Sequence, residues 1–171
     1  MQRTLLSLKI VLLIGFVWLS HEFAGGYKPG RYDSALAAEW NLFKQKYNVD
    51  SFGGDGYFVR GVRHGFGLVN KTYDFAWRFT RKTATDKPNS CGSCHTPEDL
   101  AYAFVSSDRF DPDLRKRVSF EERVTRCYVK YLDGFVPTIY DPAIRDIRIY
   151  ARMVANSLEL TEGSLRKGDA P

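Results

Sequence analysis

The sequence predicts an all-α fold, and three features carry that expectation. Apolar residues recur at intervals of three and four in several separate segments, which is the spacing of helices with one buried face. Two of those segments begin on residues suited to helix starts, Ser119 with Glu122 three positions on, and Pro142. The third feature is Cys91-Gly92-Ser93-Cys94-His95, set at the end of a polar loop between helical segments.

In chain order, residues 34–47 (S-A-L-A-A-E-W-N-L-F-K-Q-K-Y) carry Leu36, Trp40, Phe43 and Tyr47 on one helical face, with Ser34 as the expected N-cap. This stripe is expected to pack on the domain that follows. After a glycine-rich turn at 51–56, residues 57–79 read as a second helical region containing Gly61, Gly65 and Gly67. Glycine weakens a helix, so these positions need a reason. Close approach of the final helix supplies one, and Gly65 is the expected crossing point. A polar loop over 81–90 leads into the cysteine motif, and a short helix resumes at 97–105. Residues 106–113 are expected to be a loop. Residues 119–131 (S-F-E-E-R-V-T-R-C-Y-V-K-Y) form a capped helix that carries Cys127 on its buried face. A turn at 133–140 with Gly134 and Pro137 precedes a helix from Pro142 to about Leu160. Its inner stripe is Ile144, Ile147, Tyr150 or Ala151, and Val154.

Residues 1–24 have targeting character: Met1-Gln2-Arg3 is a short positive start, and the stretch from Leu5 to Leu19 is mostly apolar. The run is shorter than the ~20 residues that span a bilayer, and Lys9 interrupts it, but lysine near an end can snorkel to the interface. Ser20-His21-Glu22-Phe23-Ala24 puts Glu22 where a signal peptidase wants a small residue, which favours a retained anchor over a cleaved signal peptide. Arg3 and Lys9 favour an inside N-terminus, leaving the rest at the periplasmic face of a bacterial inner membrane, or soluble in the periplasm if the segment is removed. Residues 25–56 then divide into a breaker-rich tether and the first amphipathic helix, residues 57–160 form the main domain, and residues 161–171 form a flexible tail.

The formal charge of +5 does not indicate a nucleic-acid partner, since Lys and Arg are scattered among Asp and Glu and form no stripe. The chemistry lies in C-x-x-C-H. Two thiols three positions apart reach the two vinyl groups of one haem, and the following His brings an imidazole to the iron. A redox C-x-x-C needs no such His, and a zinc site needs further Cys or His pairs, which are missing. One motif means one covalently bound haem c, on Cys91 and Cys94 with His95 as axial ligand. Aromatics at 15% of the chain suit a small core closed around a flat apolar cofactor.

Cys127 is the one thiol left over. It is a buried apolar residue, an intermolecular disulfide former, or the second axial ligand. Met153 competes for that position because His/Met ligation is common, but it falls inside the final helix rather than in a loop before it. His64 reads as a surface or packing residue, and His21 lies in the export segment. Arg78 or Arg81 could meet the haem propionates. Arg126 and Lys130 flank Cys127 and would favour its thiolate if they faced it, although solvation of both charges is the plainer reading.

The stretch G-F-G-L-V-N-K-T from Gly65 to Thr72, N-S-C-G-S-C-H from Asn89 to His95, and R-C-Y before the Pro-started final helix resemble one group of c-type cytochromes. It includes the A subunit of the Sox sulfur-oxidation cytochrome, thiosulfate dehydrogenase and the sphaeroides haem protein. The resemblance covers roughly residues 58–160 and implies a small cytochrome c-like helical domain around one covalent haem. In the first two families a cysteine after the haem motif ligates iron, and the resemblance carries that role to Cys127. Those enzymes typically have a second haem domain, which this sequence lacks. The expected function is therefore one-electron transfer to a redox partner, such as a membrane complex or another cytochrome. Thiosulfate oxidation through Cys127 is the alternative, and NO or CO sensing is a further one.

Overall fold

The computed structural model describes residues 31–52, 56–80, 90–112, 114–135 and 138–161. The export segment, the tether at 25–30, Arg81 and the rest of 81–89, Pro137 and the tail beyond 161 lie outside the described residues. Among the described residues no helix is long and apolar enough to cross a membrane.

The chain is mostly helical. Helix α1, Ser34–Lys46, starts one residue earlier than its apolar pattern implies: Asp33, not Ser34, is the N-cap, and its carboxylate accepts from the Leu36 N–H at 2.8 Å. Asp33 also pairs with Lys71 at 2.7 Å, so it caps one helix and ties it to the next. A short 3₁₀ turn, Val49–Phe52, leads to α2, Gly56–Asn70. The single helical region expected over 57–79 is interrupted. Lys71 leaves the helical region at φ −135° and ψ 60°, and a one-turn helix α3, Thr72–Phe75, follows.

Helix α4, Pro97–Val105, opens with Pro97 and a reciprocal cap between Thr96 and Asp99. The stretch expected to be loop instead begins an antiparallel hairpin, β1 (Arg109–Asp111) with β2 (Lys116–Val118), in the register Phe110 opposite Arg117. Helix α5, Phe120–Tyr131, has the reciprocal cap its sequence implies: the Glu122 N–H donates to Ser119 Oγ at 3.2 Å, and the Ser119 N–H to the Glu122 carboxylate at 2.9 Å. Helix α6, Pro142–Ser157, is capped by Asp141 and ends three residues short of Leu160.

Helix α6 is the centre of the domain and packs on α2, α4 and α5. Its expected inner stripe is present, with Ile144, Ile147, Tyr150, Ala151 and Val154 all buried. It crosses α2 at Gly65. A β-carbon there would stand 2.2 Å from the Asp146 carbonyl oxygen and 2.7 Å from Tyr150 Cβ, so only a residue without one allows the backbones to come this close. Beside the crossing, His64 Nδ1 lies 2.6 Å from the buried Asp146 carboxylate, which also accepts from Arg145 Nε at 2.7 Å. His64 is therefore a packing residue of the α2–α6 contact.

Helix α1 belongs to the same core. Leu36, Trp40, Phe43 and Tyr47 are all buried, and the Phe43 ring stacks on Tyr150 at 5.1 Å and tilts against Phe66 at 5.0 Å. Such aromatic contacts contribute about 0.5–1.5 kcal/mol each beyond the area they bury. The far end of α1 meets the start of α4: the Tyr47 hydroxyl donates to Glu98 at 2.6 Å, and Lys46 Nζ donates to the same oxygen at 2.8 Å. Glu98 stands three positions after His95, so α1 braces the helix that leaves the cysteine motif.

Candidate functional site

The C-G-S-C-H motif forms a single 3₁₀ turn, Cys91–Ser93, closed by donation from the Cys94 and His95 N–H groups to the Cys91 carbonyl at 3.2 and 3.0 Å. This tightness sets Cys91 inward and Cys94 outward: the first is buried and the second exposed. Both are free thiols, as is Cys127. His95 is exposed at the mouth of the turn.

Two adjoining cavities share Cys91, His95 and Cys127 in their walls. One, of about 260 Å³, is completed by Leu100 and Ala103 of α4, Phe120, Arg123 and Val124 of α5, and Ile147 of α6. The other, of about 310 Å³, is completed by Ser90, Cys94, Tyr131 and Leu132. They are two lobes of one cleft whose walls are mostly apolar. Together they fall in the ~300–1,000 Å³ range of cofactor sites.

Cys127 reaches this cleft from α5, with 31 residues between it and His95 in sequence. The helical period places it there: Phe120, Val124 and Cys127 recur at four and three, and all three line the first lobe. Met153 does not join them. It is fully buried on α6 and lines neither lobe.

The electrostatics of Cys127 differ from what its sequence neighbours suggest. Burial pushes its thiol up to about 12, and the nearby Cys91 and Cys94 thiols act in the same direction. Arg126 points elsewhere and pairs with Asp111 at 3.3 Å, while Lys130 lies 5.1 Å over the Tyr131 ring. The cation on the cleft wall is instead Arg123, one turn before Cys127. Its spacing of four from Cys127 is the signal that could have found it. Burial also raises the Cys91 thiol, against the hydrogen bond from Thr72. Arg78 lies 5.3 Å from the Trp77 ring and lines neither lobe.

Two thiols and an imidazole on one tight turn, sharing an apolar cleft with a third thiol, Cys127, can hold a large flat cofactor at its edge and on both faces. Among the described residues no group of three or more His, Cys, Asp or Glu is placed to hold a bare metal ion. No protein-family model, curated protein or solved structure matches the chain.

Proposed function

We propose that this chain is a monohaem c-type cytochrome that carries single electrons at the periplasmic face of a bacterial inner membrane, resembling the haem domains of the sulfur-oxidation cytochromes. The observation that carries the reading is Cys127 in the walls of the same apolar cleft as Cys91 and His95. The donor set and the lining fit haem c. Cys91 and Cys94 would hold it through thioether bonds, and His95 and Cys127 would be its axial ligands. Bound there, haem supplies a one-electron couple. The chain's own contribution is to fix the ligands and exclude water: Leu100, Phe120, Val124 and Ile147 wall the cleft. A cysteine ligand in place of methionine lowers the potential, because thiolate donates electron density to iron. A redox partner, either a membrane complex or another cytochrome, follows from a carrier role.

The test is low-temperature electron paramagnetic resonance of the oxidised, haem-loaded protein beside its Cys127→Met variant. The expected result is a compact low-spin signal of thiolate ligation that the variant loses, with the midpoint potential rising by roughly 100 mV or more, a fraction of the ~0.8 V range that axial ligands span. A wide His/Met signal unchanged by the substitution removes Cys127 from the iron and returns Met153 to contention.

One observation favours the sulfur-oxidation alternative. The Arg123 guanidinium on the wall beside Cys127 could attract an anion such as thiosulfate. In that reading the purified protein, with a second haem subunit if needed, reduces an electron acceptor when given thiosulfate. No turnover with any reduced sulfur compound leaves the electron-carrier reading.

A further inference from the structure

The sharpest contact made by the cysteine motif is with Thr72, the first residue of α3. Thr72 is wholly buried. Its hydroxyl donates to the Leu68 carbonyl at 2.7 Å and accepts from the Cys91 N–H at 3.0 Å, and it lies 3.6 Å from Cys91 Sγ. The oxygen that bonds back to the last turn of α2 is therefore the one that meets the first cysteine. A second contact holds the same turn: a β-carbon on Gly92 would stand 3.2 Å from the Val69 carbonyl oxygen and 3.3 Å from Asn70 Oδ1. Asn70 is itself held, its Nδ2 donating to the Phe66 carbonyl at 2.8 Å. The break at Lys71 turns Thr72 toward Cys91, so the irregularity in the helix and the docking of the motif are one feature.

We propose that Thr72 is a positioning residue for thioether formation at Cys91. This rests on the haem reading above. Cys94 is exposed, whereas Cys91 is 6% exposed and meets the cleft from a buried position in the walls of both lobes. Thioether formation is addition of a thiol across a vinyl group: the sulfur bonds one vinyl carbon, the thiol hydrogen ends on the other, and no oxidant is consumed. The yield at a buried thiol depends on its being held in line, since small misplacements of reacting atoms cost rate steeply. Thr72 holds Cys91 by its main-chain N–H and touches its sulfur, fixing the residue in the walls of the cleft.

The experiment compares wild type with Thr72→Val, which keeps the shape and removes the hydroxyl, and with Thr72→Ser, which keeps the hydroxyl. All three are loaded with haem in the periplasm of a cytochrome-maturing host. Haem mapped on cysteine peptides and the α-band of the pyridine complex distinguish two thioether bonds from one. Wild type and T72S are expected to carry two. T72V is expected to accumulate chains bonded at Cys94 alone, with at least a several-fold rise in free Cys91 thiol, and a red-shifted α-band. Two thioether bonds in T72V at the wild-type share overturn the role of Thr72 and leave the haem reading intact, whereas a wild-type chain that takes up no haem overturns the haem reading. If T72V does not accumulate, hydrogen exchange on the wild-type protein decides: slow exchange at the Cys91 amide is expected, and exchange as fast as that of an exposed loop refutes the contact.

Discussion

Replacing Gly65 by alanine tests the α2–α6 crossing, with Gly61→Ala on the same helix as its control. Both substitutions gain about 1 kcal/mol of helix propensity. At Gly61 the new methyl meets Ile149 Cδ1 at 3.1 Å, the end of a flexible side chain that can rotate away. At Gly65 it meets the Asp146 carbonyl oxygen at 2.2 Å, and main chain cannot rotate away. Ordinary contact begins near 3.4 Å, so the two helices must part by about 1 Å. A gap of that size forfeits between a quarter and a half of the contact energy of each facing atom pair. Val62, Phe66 and Val69 of α2, with Ile147, Tyr150 and Ala151 of α6, are all buried around this packing. Overpacking usually costs ~1–3 kcal/mol, and a main-chain clash belongs at or above the top of that range. After the propensity gain, G65A is expected to be at least about 2 kcal/mol less stable than wild type, and G61A within about 1 kcal/mol of it or slightly more stable. Urea unfolding followed by circular dichroism reads this as a midpoint lower by about 1–2 M for G65A at unchanged slope. Equal midpoints for the two variants would refute the crossing at Gly65.

The Glu98 carboxyl is held down at about 2: burial acts to raise it, and the hydrogen bonds from Lys46 and Tyr47 outweigh that. A depressed carboxylate contributes stability that is present above its unfolded value near 4.5 and lost as pH falls toward 2. Glu98→Gln is therefore expected to flatten the acid side of the stability profile between those values, by about 1 kcal/mol once partial exposure is allowed for, and an unchanged acid limb in thermal melts would contradict it. Ser119→Ala removes the side-chain half of the α5 cap and should cost about 1 kcal/mol in urea unfolding, with a cost below a few tenths speaking against the cap.

What could be read from the sequence divides along physical lines. Periodicity located α1, α5 and α6 and put Cys127 on the cleft side of α5, because a helical face is fixed by spacing within one segment. Gly65 was legible because a glycine inside an otherwise good helix needs a neighbour to explain it. The interruption at Lys71 was not, since the Thr72 contact that accompanies it reaches Cys91, nineteen positions away, and neither segment announces the other. The hairpin over 109–118 has strands of three residues, too short for an alternating pattern to register. Tyr47 and Glu98 meet across 51 positions, a pairing that neither local segment announces. Arg126 drew attention as the residue beside Cys127, but adjacent positions on a helix point about 100° apart, while Arg123 four positions earlier shares the face.

The same helical face bears on the choice between carrier and sulfur chemistry. A thiol pushed up to about 12 is a neutral, apolar side chain at physiological pH and a poor nucleophile. Cys127 therefore gains thiolate character only where a metal ion displaces its proton, as coordinating thiols do. Electron transfer asks nothing more of it than that bond. Sulfur oxidation would ask in addition that the sulfur be free to meet a substrate in the cleft, where Arg123 is the charged group on the wall shared with Phe120 and Val124. Arg123→Ala separates the two demands. It should leave the resonance signal and the rate of electron exchange with a small neutral mediator unchanged in a carrier, and should abolish any thiosulfate-dependent reduction if the cleft is an active site.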